Sequence, residues 1–251
     1  MHRERKSVLL TGGTRGIGRA VATYLAKNNF DLILTYRNND ESLSELLNEC
    51  NLAGANVFPI KCDLANSHDV DSTTETLLAE NRIPYGIVCC AGMSSDSLSF
   101  QFNSDSVKKI FQVNLFSTMQ LVSKLIMPMS RMDSSRIIFI SSVASKHGNR
   151  GNSIYSATKG AIQSYMRSVI EEFSRRGLTM NAILPGFIDT ELTQGRANWA
   201  DSMLNRIPVQ RLGKPNDIAT LVDFLLSPNA SFINGSELIV DGGMTATLGL
   251  N

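Results

Sequence analysis

Histidine is scarce in this chain of 251 residues: the three copies stand at positions 2, 68 and 147, and no two of them can share a helix face. The four cysteines, Cys50, Cys62, Cys89 and Cys90, lack the spacings of a zinc site or a disulfide framework. Neither residue type points to a metal, and none is expected. An excess of charge of either sign is also missing. Lys and Arg number 24 against 23 Asp and Glu, a net charge of +1, so no global field would draw the chain to nucleic acid or to an anionic membrane. Nothing approaches the roughly 18 apolar residues of a membrane span. The stretch "MHRERKSVLLTGG" offers only "VLL" where a signal peptide needs a longer apolar core. A cytoplasmic protein with neither a membrane nor a nucleic-acid partner is expected. No linker, repeat or break in composition divides the chain, which predicts a single domain over residues 1–251.

What the chain does have is an alternation of short apolar runs with longer stretches of helical periodicity. "SVLLT" reads as a strand and Arg15 to Asn28 as a helix with Ile17, Val21 and Leu25 on one face. "DLILTY" is a strand, "ESLSELLNECNLAG" a helix ending at a glycine, and "NVFPIKCD" a strand. A polar helix over about 67–81 leads into "GIVCCAG", and a long apolar helix follows from Val107 to Met127. "RIIFISS", a helix from Tyr155 to Arg175, "LTMNAIL", a helix through "NDIATLVDFLLS" and "ELIVDGG" complete the series. The strands are unbroken Val/Ile/Leu runs, as required when helices cover both faces of a parallel sheet. The fold class expected is α/β, a Rossmann-type doubly wound parallel sheet with helices on both faces.

The first strand runs directly into "TGGTRGIGRA". Gly12 would permit a tight turn, and Gly16 and Gly18 would let backbone approach a pyrophosphate at the helix N-terminus and let helix pack on strand. At the end of the second strand a carboxylate would bind the ribose hydroxyls of NAD and repel a 2′-phosphate. Here the strand ends "LTYRNND", with Arg37 and no acid before Asp40, and Arg15 adds a second positive charge inside the glycine loop. Two guanidinium groups without a carboxylate favour NADPH. Further on, "SIYSATKGA" places Tyr155 and Lys159 one helical turn apart on the same face. An ammonium beside a phenol favours the phenolate and makes the phenol a better proton donor. Ser142 stands thirteen residues before the tyrosine, at the end of "RIIFISS", where a hydroxyl could hold a substrate carbonyl. Asn114 is polar amid the apolar "IFQVNLFS" and needs a partner if buried.

Taken with "KCDL", "CAG", "VNL", "NAILPGFIDTEL", "RLGKPNDIA" and "GSELIVDGG", these motifs resemble a short-chain dehydrogenase/reductase over essentially the whole chain. Within that family the sequence is most similar to bacterial 3-oxoacyl-[acyl-carrier-protein] reductases. The resemblance implies a catalytic set of Asn114, Ser142, Tyr155 and Lys159. Serine would position the carbonyl and tyrosine would give its proton as NADPH delivers hydride. Lysine would bind the nicotinamide ribose and assist the tyrosine, and asparagine would hold a water that relays protons to the lysine. The matching cofactor positions are Gly12, Thr14, Arg15, Gly16, Ile17 and Gly18 in the loop, then Arg37, Asp63 and Leu64. Cys90, Ala91 and Gly92 follow, and Pro185, Gly186, Ile188 and Thr190 bracket the nicotinamide, with Tyr155 and Lys159 shared. Ser141 is the rival hydroxyl, and the spacing selects Ser142.

Two departures stand out. Cys89 and Cys90 replace the Asn-Asn that usually precedes Ala-Gly after the fourth strand, and a thiol cannot make the strong bonds of the second amide. The vicinal pair reads as small buried cysteines rather than a redox sensor. Asn152 occupies a position that is often glutamine in carrier-protein reductases, facing substrate. Carrier proteins are acidic, and Arg176 falls at a position implied to dock them, with Arg175 and Arg136 nearby, although "SRRG" is equally a helix end where arginines favour the macrodipole. The resemblance further implies a homotetramer built on the helices containing Asn114 and Lys159, and a lid from about Asp189 to Pro208. Three functions stay open: reduction of a 3-oxoacyl group on acyl carrier protein, reduction of a free ketone, sugar or quinone, and a non-enzymatic scaffold or redox sensor.

Overall fold

The apolar runs come together as seven parallel strands in one sheet, in a computed structural model that describes residues 5–38, 40–94, 97–174, 177–191 and 204–247. They are β1 (Lys6–Thr11), β2 (Phe30–Tyr36), β3 (Val57–Lys61), β4 (Gly86–Cys89), β5 (Ser135–Ile140), β6 (Leu178–Pro185) and β7 (Glu237–Val240). Their order across the sheet is β3-β2-β1-β4-β5-β6-β7. Successive residues along a strand feed opposite faces. Val8 and Leu10 of β1 enter one apolar core, while Leu9 enters the other.

The first core is closed by α1 (Gly16–Lys27), α2 (Glu41–Leu52) and α7 (Pro215–Leu226), through residues such as Val21, Leu46 and Val222. The second is closed by α3 (Ser67–Ala79), α5 (Ser117–Met129) and α6 (Ser153–Phe173), through Leu77, Leu125 and Met166. Helices on both faces explain why the strands carry no polar alternation. Pro59 is tolerated because β3 lies at the sheet edge, where a missing N–H breaks no central ladder.

Two helices differ from expectation. The long apolar helix begins earlier, with α4 (Ser104–Phe111), because Asn103 caps it: its side chain accepts from the Ser106 N–H at 2.9 Å. It then passes through a π turn, Gln112–Phe116, before α5. The α6 helix starts two residues before Tyr155, and Arg175 lies outside the described residues. The expected lid is described only at its ends, Asp189 to Glu191 and Leu204 to Pro208.

The chain builds β1, β2 and β3 outward in one direction and then returns to place β4 on the other side of β1. At this reversal the loops after β1 and β4 diverge, leaving a crevice at the carboxyl ends of the strands. Among the described residues no helix is long and apolar enough to cross a membrane, and no group of three or more His, Cys, Asp or Glu could hold a metal ion.

Candidate active site

The crevice is a cavity of about 950 Å³. Each of the expected cofactor residues lines it, from the glycine loop through Arg37, Asp63, the Cys90–Gly92 segment and Lys159 to Thr190. Ser142, Tyr155 and Asn152 line it as well. Asn114 stands behind the wall, and Arg176 lies outside the described residues.

At one end the β1–α1 turn has the form an anion requires. Gly12 adopts φ +70°, and a Cβ there would lie 2.7 Å from the Cα of Ala91, so the two strand-end loops meet backbone to backbone. Gly18 lets α1 rest directly on that turn, since an added Cβ would lie 2.0 Å from the Gly12 carbonyl oxygen. No side chain caps α1, and its first turn has no acidic residue. The first N–H groups of the helix and the positive end of its dipole are thus available to a phosphate. These features fit a dinucleotide.

At the edge of the cavity Asp40, which sequence reasoning placed too late in the chain to matter, lines the wall. Its carboxylate caps α2, accepting from the Leu43 N–H at 3.2 Å, and its second oxygen lies 3.5 Å from the Arg15 guanidinium. The acid is therefore already paired. The aspartate three residues before an apolar helical position was the available signal. Arg15 also lies 3.9 Å from Glu191. Asp63 folds its own loop, accepting from the Ala65 N–H at 3.0 Å.

At the other end α6 carries Tyr155 and Lys159 up one face. Lys159 is only 5% exposed; its ammonium donates to the Ile140 carbonyl at 2.7 Å and stands 5.7 Å from the centre of the Tyr155 ring. An ammonium has three protons, and Lys159, with one of them on Ile140, also lines the cavity. Ser142 opens a short 3-10 turn, Val143–Ser145, and its Oγ accepts from the Ala144 N–H at 3.1 Å. Among the described residues its own hydroxyl proton has no acceptor. Ser141, by contrast, is buried and spends its proton on the Lys159 carbonyl at 3.2 Å. Of the two serines, Ser142 lines the cavity with its proton uncommitted among the described residues, while Ser141 has its proton engaged.

Asn114 makes contacts that the sequence alone does not show. It is 2% exposed within the π turn and holds both main-chain groups of Met93, accepting from the N–H at 2.8 Å and donating to the carbonyl at 2.9 Å. Its second amide proton goes to the Thr158 hydroxyl at 3.1 Å. The side chain braces the loop after β4 against α6 and keeps at most one acceptor lone pair for a water. Asn152 has its Oδ1 buried with no protein donor, on the cavity wall.

The end of β4 is tied to β1 beside the two cysteines: the Thr11 hydroxyl accepts from the Ala91 N–H at 3.2 Å. Burial pushes the Cys89 and Cys90 thiols up to about 12 from an ordinary 9.0. Both are thus neutral at pH 8; Cys89 is buried and Cys90 lines the cavity, so alkylation by iodoacetamide in the native protein should leave Cys89 unmodified and label Cys90 only slowly, read by peptide mass spectrometry against a denatured control. Because the folded thiols stay protonated after unfolded ones ionise, they stabilise the fold below pH 9 and that stability drains away between 9 and 12. Rapid labelling of either cysteine at pH 8 would restore the redox-sensor reading.

A family described as enoyl-(acyl carrier protein) reductase matches residues 12–245. The chain is 32% identical over 240 residues to 3-oxoacyl-[acyl-carrier-protein] reductase FabG of Staphylococcus aureus, covering 95% of this chain and 98% of the relative. It is likewise 32% identical to MabA of Mycobacterium tuberculosis over 241 residues, 95% and 92% of the two chains. The chain belongs to the short-chain dehydrogenase/reductase family. Solved members superpose closely. A short-chain dehydrogenase/reductase from Serratia marcescens gives a TM-score of 0.90 at 26% identity, covering 97% of this chain and all of the other. A blue fluorescent protein from a metagenomic library, in complex with NADPH, gives 0.89 at 27% identity, covering 95% and 97%. Members of this family are oxidoreductases that bind a nicotinamide dinucleotide.

Proposed function

We propose that this reductase converts a 3-oxoacyl thioester carried on acyl carrier protein to the 3-hydroxyacyl form, with NADPH. The observation that carries the reading is the convergence of Ser142, Tyr155 and Lys159 at one end of a cavity whose other end is a phosphate cradle. The relatives from Staphylococcus and Mycobacterium are named for this reaction.

NADPH, when bound, supplies the hydride that reaches the carbonyl carbon. Gly12, Gly16 and Gly18 with the N-terminus of α1 would hold its pyrophosphate, Asp63 and Leu64 its adenine end, and Lys159 its nicotinamide ribose. Arg15 and Arg37 would take the 2′-phosphate, and pairing of Asp40 with Arg15 and the α2 N-terminus blunts one nearby acid that would repel it. Ser142 donates its free proton to the substrate carbonyl oxygen and orients it. Tyr155 then gives its hydroxyl proton to that oxygen, which becomes the alcohol, and the phenolate left behind sits beside the Lys159 ammonium until solvent returns the proton. Asn114 acts through Met93 and Thr158, as a brace. Exposed Phe116 and Met127 on the long helix are surface that the implied homotetramer would cover.

The test compares NADPH oxidation on a 3-oxoacyl-carrier-protein, its coenzyme A thioester, an enoyl thioester and a free ketone. The carrier-bound ketone should give kcat/KM at least about tenfold above the coenzyme A form, the gain of about 1.4 kcal/mol that carrier docking would add. The enoyl thioester should be inert. Turnover confined to the free ketone, or to the enoyl thioester, would overturn the reading.

A further inference from the structure

On α6 the stripe that begins with Tyr155 and Lys159 continues one turn further with Gln163, a polar residue 5% exposed between Ile162 and Met166 of the apolar core. Its amide nitrogen donates to two hydroxyls, that of Ser141 at 3.2 Å and that of Ser145 at 2.5 Å. Each of those hydroxyls has already given its single proton to a carbonyl. Ser141 donates to Lys159 O, and Ser145 donates to the carbonyl of Ser142 at 2.6 Å. Both oxygens can therefore only accept, and a side chain with two N–H protons is required between them. Glutamine meets that requirement, with its amide oriented by the network itself.

Ser142 is thus flanked by two serines clamped to the same amide. One turn further along α6, Arg167 shares the Glu237 carboxylate with Lys146, fixing the far end of the same turn to β7. The turn after β5 is bolted to the helix that carries the tyrosine and lysine at successive levels.

We infer that Gln163 is the positioning residue of the site: its amide holds Ser141 and Ser145 and so sets the direction of the Ser142 hydroxyl relative to Tyr155. The inference rests on the reading that Ser142 acts on the substrate carbonyl. Gln163 touches no substrate and acts through Ser142. An orienting error of about 1 Å at a reacting group can cost about a hundredfold in rate, so small motions of this turn matter.

Three variants test this. Gln163→Met keeps an unbranched side chain of similar length and removes both N–H groups. Gln163→Glu keeps the size and offers only acceptors to two hydroxyls without a proton to spare. Ser145→Ala removes the link to the Ser142 carbonyl at a half-buried turn, where folding is least at risk. Each should lower kcat by about ten- to a hundredfold while NADPH affinity stays within about twofold of the parent. In a Ser142→Ala background the Gln163→Met change should cost less than about twofold, because the group it positions is gone. Parental kcat in Gln163→Met and Ser145→Ala, with Ser142→Ala slow, would overturn the inference and leave the reaction standing. An equal loss in both backgrounds would make Gln163 a packing residue and overturn it too. Parental turnover in Ser142→Ala would remove the premise, and with it the proposed role of the serine in the reaction.

Discussion

Replacing Tyr155 with phenylalanine should lower turnover of the best substrate by about 10²–10⁴, the range general acid catalysis contributes, while leaving the fold and NADPH binding as they are. The expectation separates cleanly because the hydroxyl has little else to do. Among the described residues it makes no hydrogen bond to a protein group, so its loss strands no buried partner. The ring stays, and with it the contact to Lys159, whose ammonium is 5.7 Å from the ring centre and anchored independently on Ile140. Cofactor residues at the far end of the cavity do not touch the phenol's oxygen. Turnover, a thermal melt and an NADPH fluorescence titration on the same preparation decide the matter. If kcat stays within about threefold, less than the smallest effect expected of a lost general acid, proton delivery comes from another group. A free cavity water beside Lys159 would then be the next donor to examine.

Much of this was legible in the residues. Unbroken strands such as "SVLLT" and "RIIFISS" announce a sheet covered on both faces, and the glycine loop between β1 and α1 reads correctly because each glycine answers a backbone need. The order of the sheet, with β4 beside β1, is a long-range pairing that no local run encodes, and only the structure shows it. The π turn escaped because an inserted residue in a helix leaves the apolar period of α4 and α5 nearly intact. That turn is what swings Asn114 toward Met93, so the brace escaped with it. Thr11 reads as an ordinary strand end, and only the position of Ala91 shows that its hydroxyl ties β1 to the loop after β4. Gln163 carried a faint signal: a polar residue one turn beyond Lys159, among core positions, has to be satisfied by something. Sites built from side chains at fixed spacing on one helix can be read from sequence. Sites completed by a partner from another loop cannot, until the loop is placed.

The second large effect concerns a methyl group at Gly18. A Cβ there would lie 2.0 Å from the Gly12 carbonyl oxygen and 2.8 Å from its carbon, both main-chain atoms in a turn that cannot yield like a flexible side chain. Contact at ordinary distance requires α1 to lift by more than about 1 Å. That displacement has two consequences. Val21 and Leu25 of α1 pack in the same core as Val222 of α7, so lifting opens a well-filled interface; overpacking of this kind costs about 1–3 kcal/mol. For a domain of this size that is a fall in Tm of about 2–12 °C. The same lift carries the first N–H groups of α1 away from the Gly12 turn, and the phosphate cradle with them, so NADPH affinity should fall by more than about tenfold. Gly160→Ala provides the opposing case. Gly160 lies inside α6, where the nearest atom to an added Cβ is the Ser145 oxygen at 3.8 Å, an ordinary contact. There alanine should raise stability by about 0.5–1 kcal/mol through helix propensity and a less free unfolded chain. Differential scanning calorimetry of both variants, with and without NADPH, measures the two terms together. Opposite signs from the same chemical change would tie stability and cofactor binding to one backbone contact. A Gly18→Ala protein that melts and binds NADPH like its parent would mean that α1 does not rest on the Gly12 carbonyl, and the cradle would need another support.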